Sequence, residues 1–137
     1  MNDLGLIRTA LFVPGNRLDR LDKALATEAD AVIIDLEDAV PPSQKDQARM
    51  DVAQKLAETP GRKLIVRVNG LYTPEFASDL KAVVGPNLWG LMAPKIESPM
   101  DVARLHDALL KAEAAAGLQV GALAVIALIE TAKGVDN

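Results

Sequence analysis

Ala31-Val-Ile-Ile-Asp-Leu-Glu-Asp38 is the stretch that decides the architecture. Four aliphatic residues in a row lack the alternation of a half-exposed strand, and the run is too short for an ordinary helix. It reads as a strand buried on both faces, as in a parallel sheet covered by helices. Its carboxyl end changes character: Asp35, Glu37 and Asp38 fall within four positions around Leu36. Carboxylates this close repel one another unless a cation or hydrogen bonds intervene.

Outward from this stretch the same pattern recurs. Aliphatic runs at 10–13, 64–68, 90–93 and 122–129 are separated by segments with helical spacing at 19–27, 43–58, 75–84 and 100–116. Leu21, Ala24 and Leu25 share one face of the first segment, Ala48, Val52, Leu56 and Ala57 one face of the second, and Leu105, Leu109 and Ala112 one face of the last. Thr73 and Ser98, each followed by proline, are predicted N-caps with proline at the first helical position. Gly117 is a predicted left-handed cap. The order β-α-β-α-β-α-β-α-β predicts an α/β protein with a parallel sheet and right-handed crossovers. An open doubly wound sheet and part of a (β/α)8 barrel both satisfy it, and periodicity does not choose between them. No linker or low-complexity segment interrupts residues 1–137, which read as a single domain.

The run at 122–129 is followed by Glu130-Thr-Ala-Lys-Gly134 and three more residues, with no predicted helix to cover it. Each aliphatic side chain left bare on such a strand forgoes about 1.5–3 kcal/mol of burial. The expectation is therefore a truncated chain, a missing remainder, or a partner that supplies the cover.

Composition narrows the function. Half of the residues are hydrophobic but only 3% are aromatic, so aliphatic side chains must fill the core. A net charge of −4 and the lack of a basic stripe argue against a nucleic-acid partner. The chain has no cysteine, which removes disulfides, thiolate metal sites and cysteine nucleophiles. Residues 1–10 lack the pattern of a signal peptide. No apolar run approaches the roughly 18 residues that span a bilayer. The reading is a cytoplasmic protein without a membrane partner.

Ligands of α/β folds bind at the carboxyl ends of the strands. Pro14-Gly-Asn-Arg17 follows the first run, Asp35, Glu37 and Asp38 the second, Arg67 and Asn69 end the third, Lys95 and Glu97 follow the fourth, and Glu130-Thr131 end the fifth. The carboxylates after the second run suit a metal-site shell, acid/base chemistry, or a plain salt-bridged strand end. Arg67, inside an aliphatic run, must be paired if buried. Its fork suits a substrate carboxylate or a structural pair with Asp35 or Glu37, and one pair can serve both ends. Glu130 is a hard oxygen ligand suited to Mg2+, or the partner of Lys95 or Lys133. Lys95 suits an ion pair, or a Schiff base with a carbonyl substrate. Around Pro14, Gly15, Asn16 and Arg17, glycine allows a close backbone approach and a helix start favours an anion such as a coenzyme A phosphate. The alternative is a solvated helix start. His106, the only histidine, sits mid-helix and reads as a surface residue, which leaves no histidine-based triad.

Taken in order, Leu11-Phe-Val-Pro-Gly-Asn-Arg17, Ala31-Val-Ile-Ile-Asp-Leu-Glu-Asp-Ala-Val40, Val66-Arg-Val-Asn69, Pro94-Lys-Ile-Glu97 and Leu128-Ile-Glu-Thr-Ala132 resemble the citrate lyase β-subunit and malyl-CoA lyase family of the HpcH/HpaI aldolase superfamily. The resemblance runs from Arg8 onward. It implies a (β/α)8 TIM barrel, of which this chain covers about the first five βα units. It implies a carbon–carbon lyase, oligomeric as a rule, that acts on 3-hydroxy-acyl thioesters of the citryl, malyl or citramalyl type. The products are an acyl-CoA or acyl-carrier thioester and a 2-oxo acid. Mg2+ is the implied cofactor, held by the residue at the position of Glu130 and by an Asp after the sixth strand, beyond Asn137. Arg67 takes the place of the substrate-binding arginine, and Glu37 and Asp38 that of an acidic pair beside the metal. The chain alone is then expected to be inactive. An aldolase of free 2-oxo acids on a related barrel uses a histidine near the second strand, where this chain has Asp-Leu-Glu-Asp. A half-barrel with a binding or assembly role is the non-catalytic alternative.

Overall fold

The computed structural model describes residues 7–137, so most of the 1–10 segment read for a leader lies outside the described residues. Strands β1 (Ala10–Pro14), β2 (Ala31–Asp35), β3 (Leu64–Arg67), β4 (Gly90–Ala93) and β5 (Ala124–Ala127) form one parallel sheet in the order β1-β2-β3-β4-β5. A doubly wound sheet reverses direction at a switch point. This order never reverses, which decides the alternative that periodicity left open.

Helices α1 (Leu21–Leu25), α2 (Lys45–Ala57), α3 (Glu75–Val83) and α4 (Pro99–Ala115) connect the strands. Leu21, Val52, Leu80 and Leu105 from these helices share one apolar cluster with Val13, Ile34, Val66 and Leu91 of the sheet. The helices therefore cover one face only, the winding of a (β/α)8 barrel carried through five strands. On the other face Ala31, Ile33, Ile65 and Met92 are buried, with Ile126 and Leu128 packed against them. Register aligns side chains across that face: Phe12 beside Ile33, Asp35 beside Arg67, and Gly90 beside Ala124. Gly90 is required there, because a Cβ would meet the Ala124 carbonyl oxygen at 2.8 Å.

Ser98 caps α4 as expected, its hydroxyl accepting the Asp101 N–H at 3.2 Å. Gly117 takes the left-handed conformation (φ 70°) that ends the same helix. Other details differ from the sequence reading. The helix expected from residue 19 begins as a short 3-10 turn, Leu18–Arg20, and that expected from residue 43 as Pro42–Gln44. Thr73 does not cap α3: its hydroxyl donates to the Gly70 carbonyl, and Pro74 takes the cap position. Ala57 is exposed, because it lies at the end of α2, beyond the stripe of Ala48, Val52 and Leu56. The strand expected at 122–129 is only four residues long, matching the four that β4 offers.

The residues after β5 form a short helix, α5 (Ala132–Asp136), which was not expected. Gly134 lowers its intrinsic propensity, and the Thr131 hydroxyl, accepting the Gly134 N–H at 3.0 Å, caps it. It is too short to cover β5, whose Val125 and the following Ile129 stay exposed on the helix side. Among the described residues no helix is long and apolar enough to cross a membrane.

Candidate functional site

Register places Asp35 at the last position of β2 directly beside Arg67 at the last position of β3. Arg67 donates from Nε to Asp35 Oδ1 at 2.8 Å and from Nη2 to Asp35 Oδ2 at 2.6 Å, a bidentate pair. The other two contacts of Asp35 are backbone: it accepts the N–H groups of Glu37 and Ala39 at 2.9 and 3.0 Å. Burial pushes the Asp35 carboxyl up, but these four hydrogen bonds outweigh it and hold the group below the usual carboxylate range. Arg67 is shifted upward, chiefly by its hydrogen bonds to Asp35.

Of the readings open for Arg67, the structural pair with Asp35 is formed. Its bidentate edge is taken by Asp35. Nη1 points instead toward Glu37 Oε2, 3.6 Å away. The Phe12 ring lies under the guanidinium, 5.1 Å from centroid to carbon, on the same inner face.

Glu37 is buried at 6% exposure, and its Oε2 has no hydrogen-bond donor. Its Oε1 forms an ion pair with Lys95 Nζ. Asp38 is exposed and sits 3.8 Å from the same ammonium. Hydrogen bonding to Glu37 raises the Lys95 pKa, away from the neutral amine that a Schiff base needs. Lys95 is the only non-glycine residue among those described with a positive φ, 54°. Such a conformation costs on the order of 1 kcal/mol and persists only where the surroundings over-determine it. Here both ends are held: Nζ by Glu37, and the backbone N–H by Glu130 Oε1 at 3.0 Å.

Glu130 is exposed and follows β5 by three positions. The salt bridges considered for it are not formed. Lys95 turns its ammonium to Glu37, and Lys133 pairs with Glu97 at 3.2 Å. Glu130 therefore has no cationic side chain in contact among the described residues. No three carboxylates converge into a cage among the described residues.

Two groups of predicted site residues are placed differently from expectation. Asn69 is buried and turned into the protein. Its Nδ2 and backbone N–H donate to Asp79 Oδ2, and its Oδ1 accepts from Lys45 Nζ at 2.6 Å. Gly15 does permit a close approach, but to its own chain. Its N–H donates to the Asp35 carbonyl at 2.8 Å, and a Cβ would lie 2.9 Å from that oxygen. Pro14 is half-buried beside Asp35 in the ladder. Asn16 donates to Gln44, and its Oδ1 is buried without a partner. Arg17 is paired with Asp19 at 2.9 Å and exposed. The helix that follows has five residues, too few to build an anion site. His106 is exposed on α4, as expected.

Sequence reasoning missed Lys45, Arg49 and Asp79. Lys45 opens α2, where a positive charge opposes the helix dipole. Asp79 falls on the buried stripe of α3 with Phe76, Leu80 and Val83, at 0% exposure. A charge on an apolar stripe and a lysine at a helix start are local inconsistencies, and these were the available signals.

Sequence comparison then identifies the relatives. The HpcH/HpaI aldolase/citrate lyase family matches residues 8–137. The chain belongs to this family. It is 38% identical over 139 residues to citrate lyase subunit beta of Leuconostoc mesenteroides subsp. cremoris, covering all of this chain and 46% of that protein. It is 38% identical over 135 residues to an L-malyl-CoA/beta-methylmalyl-CoA lyase of Cereibacter sphaeroides, covering 95% of this chain and 42% of that one. The family member thus spans about half the length of these curated relatives. Among solved structures it is similar to a citrate lyase beta subunit from M. tuberculosis complexed with oxaloacetate and magnesium. There the TM-score is 0.71 at 35% identity, over 97% of this chain and 53% of that one. A Haloferax volcanii malate synthase aligns with a TM-score of 0.83 at 21% identity, over 98% of this chain and 45% of that one, and shows the fold alone.

Proposed function

We propose that this family member forms the first five βα units of a Mg2+-dependent carbon–carbon lyase. Its substrate is a 3-hydroxy-acyl thioester of the citryl, malyl or citramalyl type, carried on coenzyme A or an acyl carrier. The observation that supports this reading most is Glu130, an exposed carboxylate at the strand end that receives one backbone N–H and no cation. The buried Glu37 Oε2, without a donor, lies across Lys95 from it.

Glu130 is the residue assigned to hold the metal, and a second protein ligand is expected after a sixth strand. Bound there, Mg2+ supplies Lewis-acid polarisation of the 2-oxo acid oxygen. The chain's own residues prepare the ground. Asp35 orients Arg67 so that its remaining Nη1 edge faces the site and offers one hydrogen bond to the 2-oxo acid carboxylate. Lys95 neutralises Glu37 and keeps the acidic cluster from repelling an anionic substrate. Residues 1–137 act as one domain, in a cytoplasmic homo-oligomer, with no nucleic acid or membrane as partner. In isolation the 137-residue chain is expected to be inactive.

The test uses the protein expressed from its native gene, given citryl, malyl and citramalyl thioesters, each on coenzyme A and on an acyl carrier, with Mg2+ or with EDTA. Cleavage of at least one thioester, abolished by EDTA and restored by Mg2+, is expected. Mg2+ binding with no cleavage of any of the three would overturn the lyase reading in favour of a non-catalytic half-barrel.

A further inference from the structure

Below the proposed site runs a chain of charged and amide groups that the chemistry does not use. It starts at the surface with Asp46, which accepts from Arg49 Nη1 at 2.7 Å. Arg49 Nε donates to Asp79 Oδ1 at 2.8 Å, and Asp79 Oδ2 accepts both the Asn69 amide and the Asn69 backbone N–H. Asn69 Oδ1 receives Lys45 Nζ, which also donates to the carbonyls of Leu36 and Glu37 at 2.9 and 2.8 Å. All three protons of the ammonium are therefore used. The chain joins α2, α3 and the ends of β2 and β3, and it terminates on the loop that carries Glu37.

That loop is gripped from two sides by opposite charges. Asp35 takes its N–H groups at Glu37 and Ala39, and Lys45 takes its carbonyls at Leu36 and Glu37. The side chain so displayed holds a buried oxygen with no donor. A loop carboxylate with an unsatisfied oxygen would turn toward solvent unless its backbone were fixed. The unfavourable lysine at a helix start and the buried charge on an apolar stripe both find their reason in this brace.

We propose that Lys45 is a positioning residue for the site: by holding the Leu36 and Glu37 carbonyls it fixes the Glu37 carboxylate between Lys95 and Arg67. The kinetic part of this inference rests on the lyase reading; the geometric part does not. Asn69 and Asp79 aim the ammonium, and Lys45 touches no reacting atom.

Two variants of the full-length protein, Lys45→Met and the more conservative Lys45→Gln, test it. Lys45→Gln keeps a donor, so the inference survives examination even if Lys45→Met fails to fold. In the crystal structure of either folded variant the Glu37 carboxylate is expected to leave its contacts with Lys95 and Arg67. A Glu37 carboxylate still in both places would overturn the proposal, whatever the protein's activity. In turnover, kcat of Lys45→Gln is expected to fall roughly 10–100-fold, with the thioester KM within about twofold, as for groups that orient a first layer of ligands. The loss is expected to be absorbed by Glu37→Gln: the double variant should be no slower than Glu37→Gln alone. Multiplicative losses would mean that Lys45 acts independently of Glu37 and would overturn the proposal. A displaced Glu37 in the Lys45 variants, beside a wild-type protein that cleaves no thioester, would leave the positioning role standing and remove the lyase reading.

Discussion

The carboxyl ends of β2 and β3 and that of β5 are built in opposite ways. At the first, Asp35 accepts four hydrogen bonds, Arg67 is bidentate, and Asn69 is held from both sides. At the second, Glu130 is exposed and holds one backbone N–H, and the strand below it carries exposed Val125 on its helix side. One end is organised by the chain itself. The other presents a carboxylate whose protein contacts do not use its charge. The contrast is what the proposed Mg2+ site rests on: at β2 and β3 charge meets charge within the chain, whereas at β5 the Glu130 carboxylate meets no cationic side chain among the described residues.

The comparison is broken most forcefully at Arg67. Removing one partner of a buried ion pair leaves the other charge uncompensated, at a cost of about 3–5 kcal/mol. Arg67→Met is therefore expected to lower stability by about 3 kcal/mol in urea titration; a loss below about 1 kcal/mol would mean that Asp35 does not depend on its arginine.

Gly90→Ala probes the strand that leads to the other end, from the amino-terminal side of β4 and β5. The added Cβ, 2.8 Å from the Ala124 carbonyl, must push β5 from β4, with a cost of about 1–3 kcal/mol. Hydrogen exchange should accelerate at 124–128 while β2 and β3 stay protected. Uniform acceleration would show that the two ends unfold together and erase the contrast.

Acid sharpens it further. The folded Asp35 pKa is depressed below 3.8, so its contribution is complete above that value and is lost as pH falls through the lower folded value. Stability should decline below about pH 4, and Asp35→Asn, less stable at neutral pH, should show a shallower decline. Identical slopes would place the acid-sensitive group elsewhere.

These contrasts explain what was legible in the sequence. The strands and most helices announced themselves, because burial on both faces demands aliphatic runs such as 31–34, and helices need a stripe such as Leu105 and Leu109. The strand ends carrying Asp35, Arg67, Lys95 and Glu130 were legible for the same reason: charges abutting aliphatic runs stand out. Pairing was not. Nothing local says that Arg67 takes both oxygens of Asp35, or that Lys95 turns to Glu37 instead of Glu130, because these are consequences of register across strands 30 to 60 residues apart in the chain. The barrel-type strand order was equally invisible to periodicity, which is the same for both windings. Asn69 looked like a site residue because it follows Arg67 by two positions, yet Asp79 and Lys45, distant in sequence, consume it.

The smallest structural effect is expected at Glu130. Glu130→Gln should leave the unfolding midpoint unchanged, since the amide oxygen still accepts the Lys95 N–H and no cation pair is lost. The same variant gives the most direct measurement of the account. Mg2+ alone is titrated by calorimetry into the native-gene protein and into Glu130→Gln. The account predicts saturable binding by the first and loss of that binding in the second, with both folded. Equal binding by the two proteins would contradict it and move the metal away from the end of β5.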